Sequence, residues 1–519
     1  MAFQLNKKNY FEDHGVNIMV FDDIYPAGHQ SGVSILMHGK RVATNGDVRF
    51  EQTPGQWQPV PKQQNRVVDH EKNQITTTLS YPDMQAHLHG FNPIIYPDFE
   101  FNYDVIVTGS GDVIDIVVNL DRPIAPEFAG KLCFNLELFP GELFGKPWMM
   151  DDRSGIFPVQ PNGPTKIQSG NYAHTGKMKP ISDAKADRER LAGYNKGYSP
   201  IRADDLVSLP YACGHSFTVR PDDALSRFTV KSEDAELKLY DGRLNHNNGW
   251  FVLSSEIPQN KTKNAIHWTI RPNVDESWCY APVVQVSQIG YHPDQPKKAV
   301  VELDARDESR SKVMLKKLTT EGYQDVKELP STEWGNFLRY NYLVCDFSDV
   351  TEEGIYIVTY GDHISGNFRI SKDVYDRGVW QPVLEYFLPV QMCHMRVNEK
   401  YRVWHGHCHH DDARMAPSDY EQFDGAAQCA DNMTKYNAGD HIEGLNAGGW
   451  HDAGDFDLRI ESQTGEMYKL AAAFEEFDAY VDETTIDQQN HIVEIHQPDG
   501  KNDVLQQVEH GALSVVGGY

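Results

Sequence analysis

The chain has 519 residues, with 75 acidic against 48 basic side chains and a formal net charge of −27. That balance excludes a surface built to neutralise nucleic-acid phosphates, which needs clustered Lys and Arg. Apolar residues at 40% and aromatics at 11% exclude wholesale disorder, and no run of about 18 apolar residues reads as a membrane span.

A chain of this length predicts about three domains. Residues 1–283 read as one large β-sandwich, or a double sandwich, acting as an accessory domain. Runs such as 104–108, 113–120, 250–253 and 266–270 alternate or read as buried strands, and Pro and Gly turns separate them. Its aromatics read first as core, and sugar binding through them is left open. Residues 284–370 predict a smaller β unit of immunoglobulin-like size, with strands near 299–303, 342–347 and 354–360.

Beyond Ser371 the period lengthens. Trp380, Val383, Leu384, Phe387, Leu388 and Met392 recur at helical spacing, with Pro382 tolerable in a first turn. A second helix is predicted through Met467, Leu470, Phe474 and Phe477. A third is predicted from Asp503 as N-cap, carrying Val504, Leu505, Val508 and Ala512, and calling for a helical partner outside the chain.

The octet at 448–455, G-G-W-H-D-A-G-D, carries the chemistry. Asp452 and Asp455 are separated only by Ala and Gly, which lets the backbone turn sharply and leaves room for a ligand. Two carboxylates so placed can share one water, as a general base and its helper would. An Asp-rich surface turn or helix start is the plainer alternative. Trp450 reads equally as a sugar platform or a buried wedge.

The octet resembles the catalytic-base motif of family 9 glycoside hydrolases, inverting cellulases built on an (α/α)6 barrel. His405, Cys408, His409, Asp411, Asp412 and Ala413 resemble a second motif of that family. Gln285, Ser287, Gln288, Gly290, Tyr291 and Pro293 are similar to the strand that opens its N-terminal immunoglobulin-like module. The resemblance implies Asp455 as general base and Asp452 as its partner, acting on a β-1,4-glucan with inversion. It makes residues 371–519 part of such a barrel. The barrel's twelve helices need on the order of 350–400 residues, so the catalytic domain is expected to be truncated here. The general acid Glu is expected to be missing from this chain.

Cys393, Cys408, His409 and His451 offer thiolates and imidazoles for a tetrahedral metal. By spacing alone other Cys and His combinations serve as well. The resemblance selects these four and implies a structural zinc that staples the catalytic loop. Calcium at Asp411 and Asp412 stays open. The seven cysteines are scattered and do not read as a disulfide framework. The first residues lack the apolar core of a signal peptide, whereas the resemblance implies an exported protein, secreted, periplasmic or at the cell surface, whose signal was removed. The expected partner is a polysaccharide or oligosaccharide. The competing readings are a non-catalytic glycan- or protein-binding sandwich, and a related exo-glucosaminidase.

Overall fold

In a computed structural model the described residues are 2–22, 32–50, 60–83, 99–167, 206–244, 249–410, 413–415, 435–452 and 458–519. The chain forms two compact units, with the sequence passing from one to the other at Ala281 and Pro282.

The first unit is one sandwich of two nine-stranded sheets. The strands alternate as the sequence implies. In Gln74–Tyr81 and Val113–Leu120 every second side chain is buried, and these inward residues form one core with Val105, Phe134, Leu136, Trp268 and Ile270. The rings of Phe134 and Trp268, from opposite sheets, meet edge to face at 5.0 Å. The buried indole N–H donates to Ser255 Oγ at 3.1 Å, so the largest core residue leaves no polar group unsatisfied there.

The second unit opens with a small sandwich. Strands Val283–Gln285, Lys298–Asp304, Tyr340–Asp346 and Ser331–Phe337 form one sheet; Gly322–Leu329, Val313–Thr319, Gly354–Tyr360, His363–Ile364 and Phe368–Ile370 form the other. Val301, Leu315, Leu343, Tyr356, Val358 and Phe368 fill the space between them. Gly290 and Tyr291 have a local structural role. A Cβ at Gly290, at φ +108°, would lie 2.4 Å from Arg369 O. The next N–H, of Tyr291, donates to that same carbonyl at 2.8 Å, and Ser371 N donates to Tyr291 O at 3.0 Å. The module's entry and exit are thus tied together immediately before the helical segment.

That segment differs from expectation in four respects. The first helix is present over residues 381–390, but its middle, Val383–Phe387, is wound as a π-helix before Leu388–Val390 returns to α. Pro389 explains it. Proline has no N–H for the carbonyl of Glu385, four residues earlier, so that carbonyl accepts from Thr484 Oγ1 at 3.0 Å instead. Leu388 N reaches back to Val383 O, and the freed Leu384 carbonyl is taken by Gln507 Nε2 at 2.9 Å. Second, a four-stranded sheet of Arg402–His405, Arg396–Glu399, Ile492–Ile495 and Thr484–Asp487 stands between the helices, where no strand was expected. Its middle pair, Arg396–Glu399 with Ile492–Ile495, is parallel and joins segments about a hundred residues apart.

Third, the N-cap of helix Asp503–Gly518 is Asn502, whose side chain accepts from Val504 N at 3.0 Å; the Asp503 carboxylate is turned away and accepts from Glu483 N at 2.8 Å. Fourth, this helix has a partner in the chain, helix Ile460–Phe477. Met392, Val397, Trp450, Leu470, Val493 and Val504 make the shared core. Among the described residues of 371–519 there are three helical elements, and the observed architecture of the chain is mostly β. No helix among the described residues is long and apolar enough to cross a membrane.

Candidate functional site

The site assembles around a two-residue backbone pairing that nothing in the local sequence announces. Cys393 N donates to Gly449 O at 2.8 Å and His451 N donates to Gln391 O at 2.9 Å, so Met392 and Trp450 face each other as an isolated antiparallel bridge. This carries Cys393 and His451 to one place. The loop after strand Arg402–His405 brings Cys408 and His409, the latter with φ +53°.

The four ligand atoms lie within 4.8 Å of one another. Cys393 Sγ is 3.6 Å from Cys408 Sγ and 2.9 Å from His409 Nδ1, and Cys408 Sγ is 3.4 Å from His451 Nε2. Ligand atoms at the corners of a zinc tetrahedron, with bonds of about 2.0–2.3 Å, stand about 3.3–3.8 Å apart. The two contacts of Cys408 fit that spacing, and the Cys393–His409 contact is tighter. A hydrogen bond from Cys393, with others from His409 and His451, pulls the Cys408 thiol far below its ordinary value against the opposing effect of burial. A thiolate is the form that binds metal. The donor set, its spacing and its charge therefore fit a soft tetrahedral cation. Four protein ligands leave no position for substrate. Cys393 and His451 are buried, and Cys408 and His409 half-buried.

The octet runs out of this cluster. Gly448 and Gly449 have φ of +69° and +83°, and a Cβ on Gly448 would stand 2.1 Å from His510 O. Close backbone approach explains the double glycine. Gly449 N donates to His510 O, and His510 Nε2 binds Gly449 O at 2.8 Å; burial lowers the pKa of that histidine to about 4, so it is neutral. Trp450 is buried against the edge of His510 at 5.8 Å, and a Cβ on Gly511 would meet its ring at 2.8 Å. It is the wedge, not a sugar platform.

Asp452 is exposed, with Arg459 Nε 3.4 Å from its carboxylate. Asp455 lies outside the described residues, as do Asp411, Asp412 and Cys429. The structure brings together Cys393, Cys408, His409 and His451, and places Asp452 next to the last of them in the chain. Reading the sequence missed three supporting residues. Gln463, one turn into helix Ile460–Phe477, binds both backbone groups of Trp450. His510 braces the glycines. Glu466, on the same helix face as Gln463, has its carboxyl pKa raised, by burial first and by the charge of Asp452 second. The i, i+3 spacing of Gln463 and Glu466 was a visible signal, but nothing in it points back to the octet.

Residues 280–365 match a family model described as the cellulase N-terminal ig-like domain. Endoglucanase D of Acetivibrio thermocellus is 24% identical over 208 residues, which are 39% of this chain and 29% of that protein. The chain thus matches under a third of the length of that curated relative. Among solved structures, a metagenome-derived glycoside hydrolase family 9 endoglucanase is 23% identical, with a TM-score of 0.33 over 46% of this chain and 40% of that one. A Zn-binding triple mutant of the family 9 endoglucanase J30 is 21% identical, with a TM-score of 0.32 over 44% and 38% of the two chains.

Proposed function

From a cellulase N-terminal ig-like module with the family 9 octet behind it, we propose that the chain is part of a family 9 glycoside hydrolase and that the whole protein hydrolyses a β-1,4-linked glucan with inversion. The observation that carries the reading is the bracing of the octet. The Met392–Trp450 bridge, the Gln463 clamp and the His510 brace hold its first half rigid, while Asp452 emerges into solvent. A catalytic carboxylate needs this combination of fixed backbone and open side chain.

In this reading Asp455 takes a proton from a water under the anomeric carbon, and Asp452 orients that water by a second hydrogen bond. Two neighbouring carboxylates resist ionising together, which raises one of them toward the working pH. In an inverting pair the proton donor stands across the cleft, about 6.5–9.5 Å from the base. No described residue is assigned that role. Cys393, Cys408, His409 and His451 would hold a zinc ion whose contribution is structural. The assignment of residues 371–519 to part of an (α/α)6 barrel and export from the cell belong to the same proposal.

The test is reducing-end release from soluble β-glucan and from chitosan oligosaccharides by the whole protein and its Asp455→Asn variant. The expected result is release from β-glucan that falls by about 10²–10⁴-fold in the variant, the usual weight of a general base. Unchanged release by the variant removes Asp455 from the chemistry. Release from chitosan oligosaccharides alone moves the substrate to glucosamine chains.

A further inference from the structure

Strand Ser331–Phe337 is the edge of its sheet in the ig-like module, and every residue of it is exposed. Trp334 is 64% exposed. Exposure of so large an apolar ring on a rigid strand is unfavourable, and the strand is irregular at this residue. Glu333 pairs with Leu343 and Gly335 with Tyr342, so Trp334 is the extra residue of a bulge. Gly335, at φ +126°, supplies a backbone conformation that other residues adopt only under strain. Bulges of this kind re-aim a side chain. Here the indole is turned onto the outer face of the sheet, where it meets Tyr342 at 5.9 Å and 89°.

The same cross-strand row continues the pattern. Val283 pairs with Glu302, Glu302 with Tyr342, and Tyr342 with Gly335. The Tyr342 hydroxyl donates to Glu302 Oε2 at 2.8 Å. Tyr342 is half-buried and anchored at both ends, so the pair offers a rigid corner with Trp334 as its open ring. Four strands at about 4.8 Å spacing make the row about 14 Å long.

We infer that this outer face of the ig-like module binds a neutral polysaccharide strand, with one pyranose ring stacked on Trp334. The apolar C–H face of a sugar covers the indole, and its hydroxyls meet the Glu302 carboxylate and the Tyr342 oxygen. The charges on the face select this occupant. The charged groups acting on Tyr342 are of opposite sign, Glu302 and Arg339, so the face offers no net charge to an ionic ligand and suits a neutral one. A second copy is disfavoured by the net charge of −27 on each chain. The choice of β-glucan as the neutral polysaccharide rests on the function proposed above. The site would hold the substrate on a surface separate from the octet.

The test is native affinity electrophoresis of the full chain in gels containing soluble hydroxyethylcellulose, with Trp334→Ala, Trp334→Phe and Asp455→Asn compared. The unmodified chain and Asp455→Asn are expected to be retarded equally. Trp334→Ala should lose at least threefold in retardation and Trp334→Phe less, with all four chains keeping the same thermal midpoint. Equal retardation of Trp334→Ala and the unmodified chain, or none for either, overturns the inference. So does a concentration-dependent dimer, seen by sedimentation, that Trp334→Ala abolishes. Hydrolysis by the whole protein and its Asp455→Asn variant reports on the proposed reaction independently, so the two readings fail separately.

Discussion

Gln463 stands in for a strand partner of Trp450: its side-chain amide accepts the Trp450 N–H at 2.7 Å and donates to the Trp450 carbonyl at 3.1 Å. On its other side Trp450 is bridged to Met392. One residue of the octet is therefore held from two directions by parts of the chain that are far apart in sequence, and His451 and Asp452 follow directly.

Replacing Gln463 by Ala leaves two buried backbone groups of Trp450 without that partner. The expected loss is about 2–4 kcal/mol, read as a lower midpoint in chemical denaturation, with Gln463→Glu falling between because it keeps the acceptor. A wild-type midpoint for the Ala variant would show that the clamp contributes nothing.

Gly448→Ala places a methyl against His510 O and forces a left-handed φ on a residue with a Cβ. We expect a loss of at least about 2 kcal/mol. Gly465→Ala is the matched control, because a Cβ there meets nothing within 4 Å and the site is inside a helix. That change should stabilise by up to about 1 kcal/mol. Similar effects of the two substitutions would refute the close-approach argument.

The thiolate–imidazole cluster predicts close to one equivalent of zinc per chain by elemental analysis, falling below about a tenth in Cys408→Ser. Chelation at neutral pH should lower the thermal midpoint of the unmodified chain and leave that of Cys408→Ser unmoved. A metal-free chain purified with zinc present throughout would exclude the site.

Asp503 gives a pH signature. Burial raises its pKa to about 7, and the nearby acids Asp482 and Asp499 add to the rise. The folded state therefore holds the proton more tightly than the unfolded chain, where Asp titrates near about 3.9. Its stabilising contribution is complete below the unfolded value and disappears as pH climbs through about 7. Asp503→Asn keeps an acceptor for Glu483 N but cannot ionise. Between pH 5 and pH 8 its thermal midpoint should fall less than that of the unmodified chain. Parallel curves would rule out Asp503 as the titrating group.

Much of the β architecture was legible because period two is a local property. The strands around 113–120, 266–270 and 354–360 lie where alternation put them. Helix Ile460–Phe477 likewise follows from its apolar spacing. The π winding at 383–387 and the cap at 502–503 were missed by weighing periodicity over single-residue chemistry. Pro389 breaks a bonding pattern that the apolar spacing around it supports, and at the start of the last helix Asn competes with Asp for the cap. The small mixed sheet escaped notice because its strands are four residues long and its central pairing is parallel, and neither leaves a pattern in a short window.

The amino-acid order by itself determined which side chains are available for chemistry: the two aspartates, the soft Cys and His ligands, and the glycines that let backbones approach. Their spacing along the chain left several ligand combinations equally open. Only the tertiary structure brings four of the ligands to one place, because Cys393 and His451 are 58 positions apart and meet through backbone bonds at Met392 and Trp450. Backbone bonds read the same for almost every residue type, so such a meeting leaves no mark on the sequence that makes it.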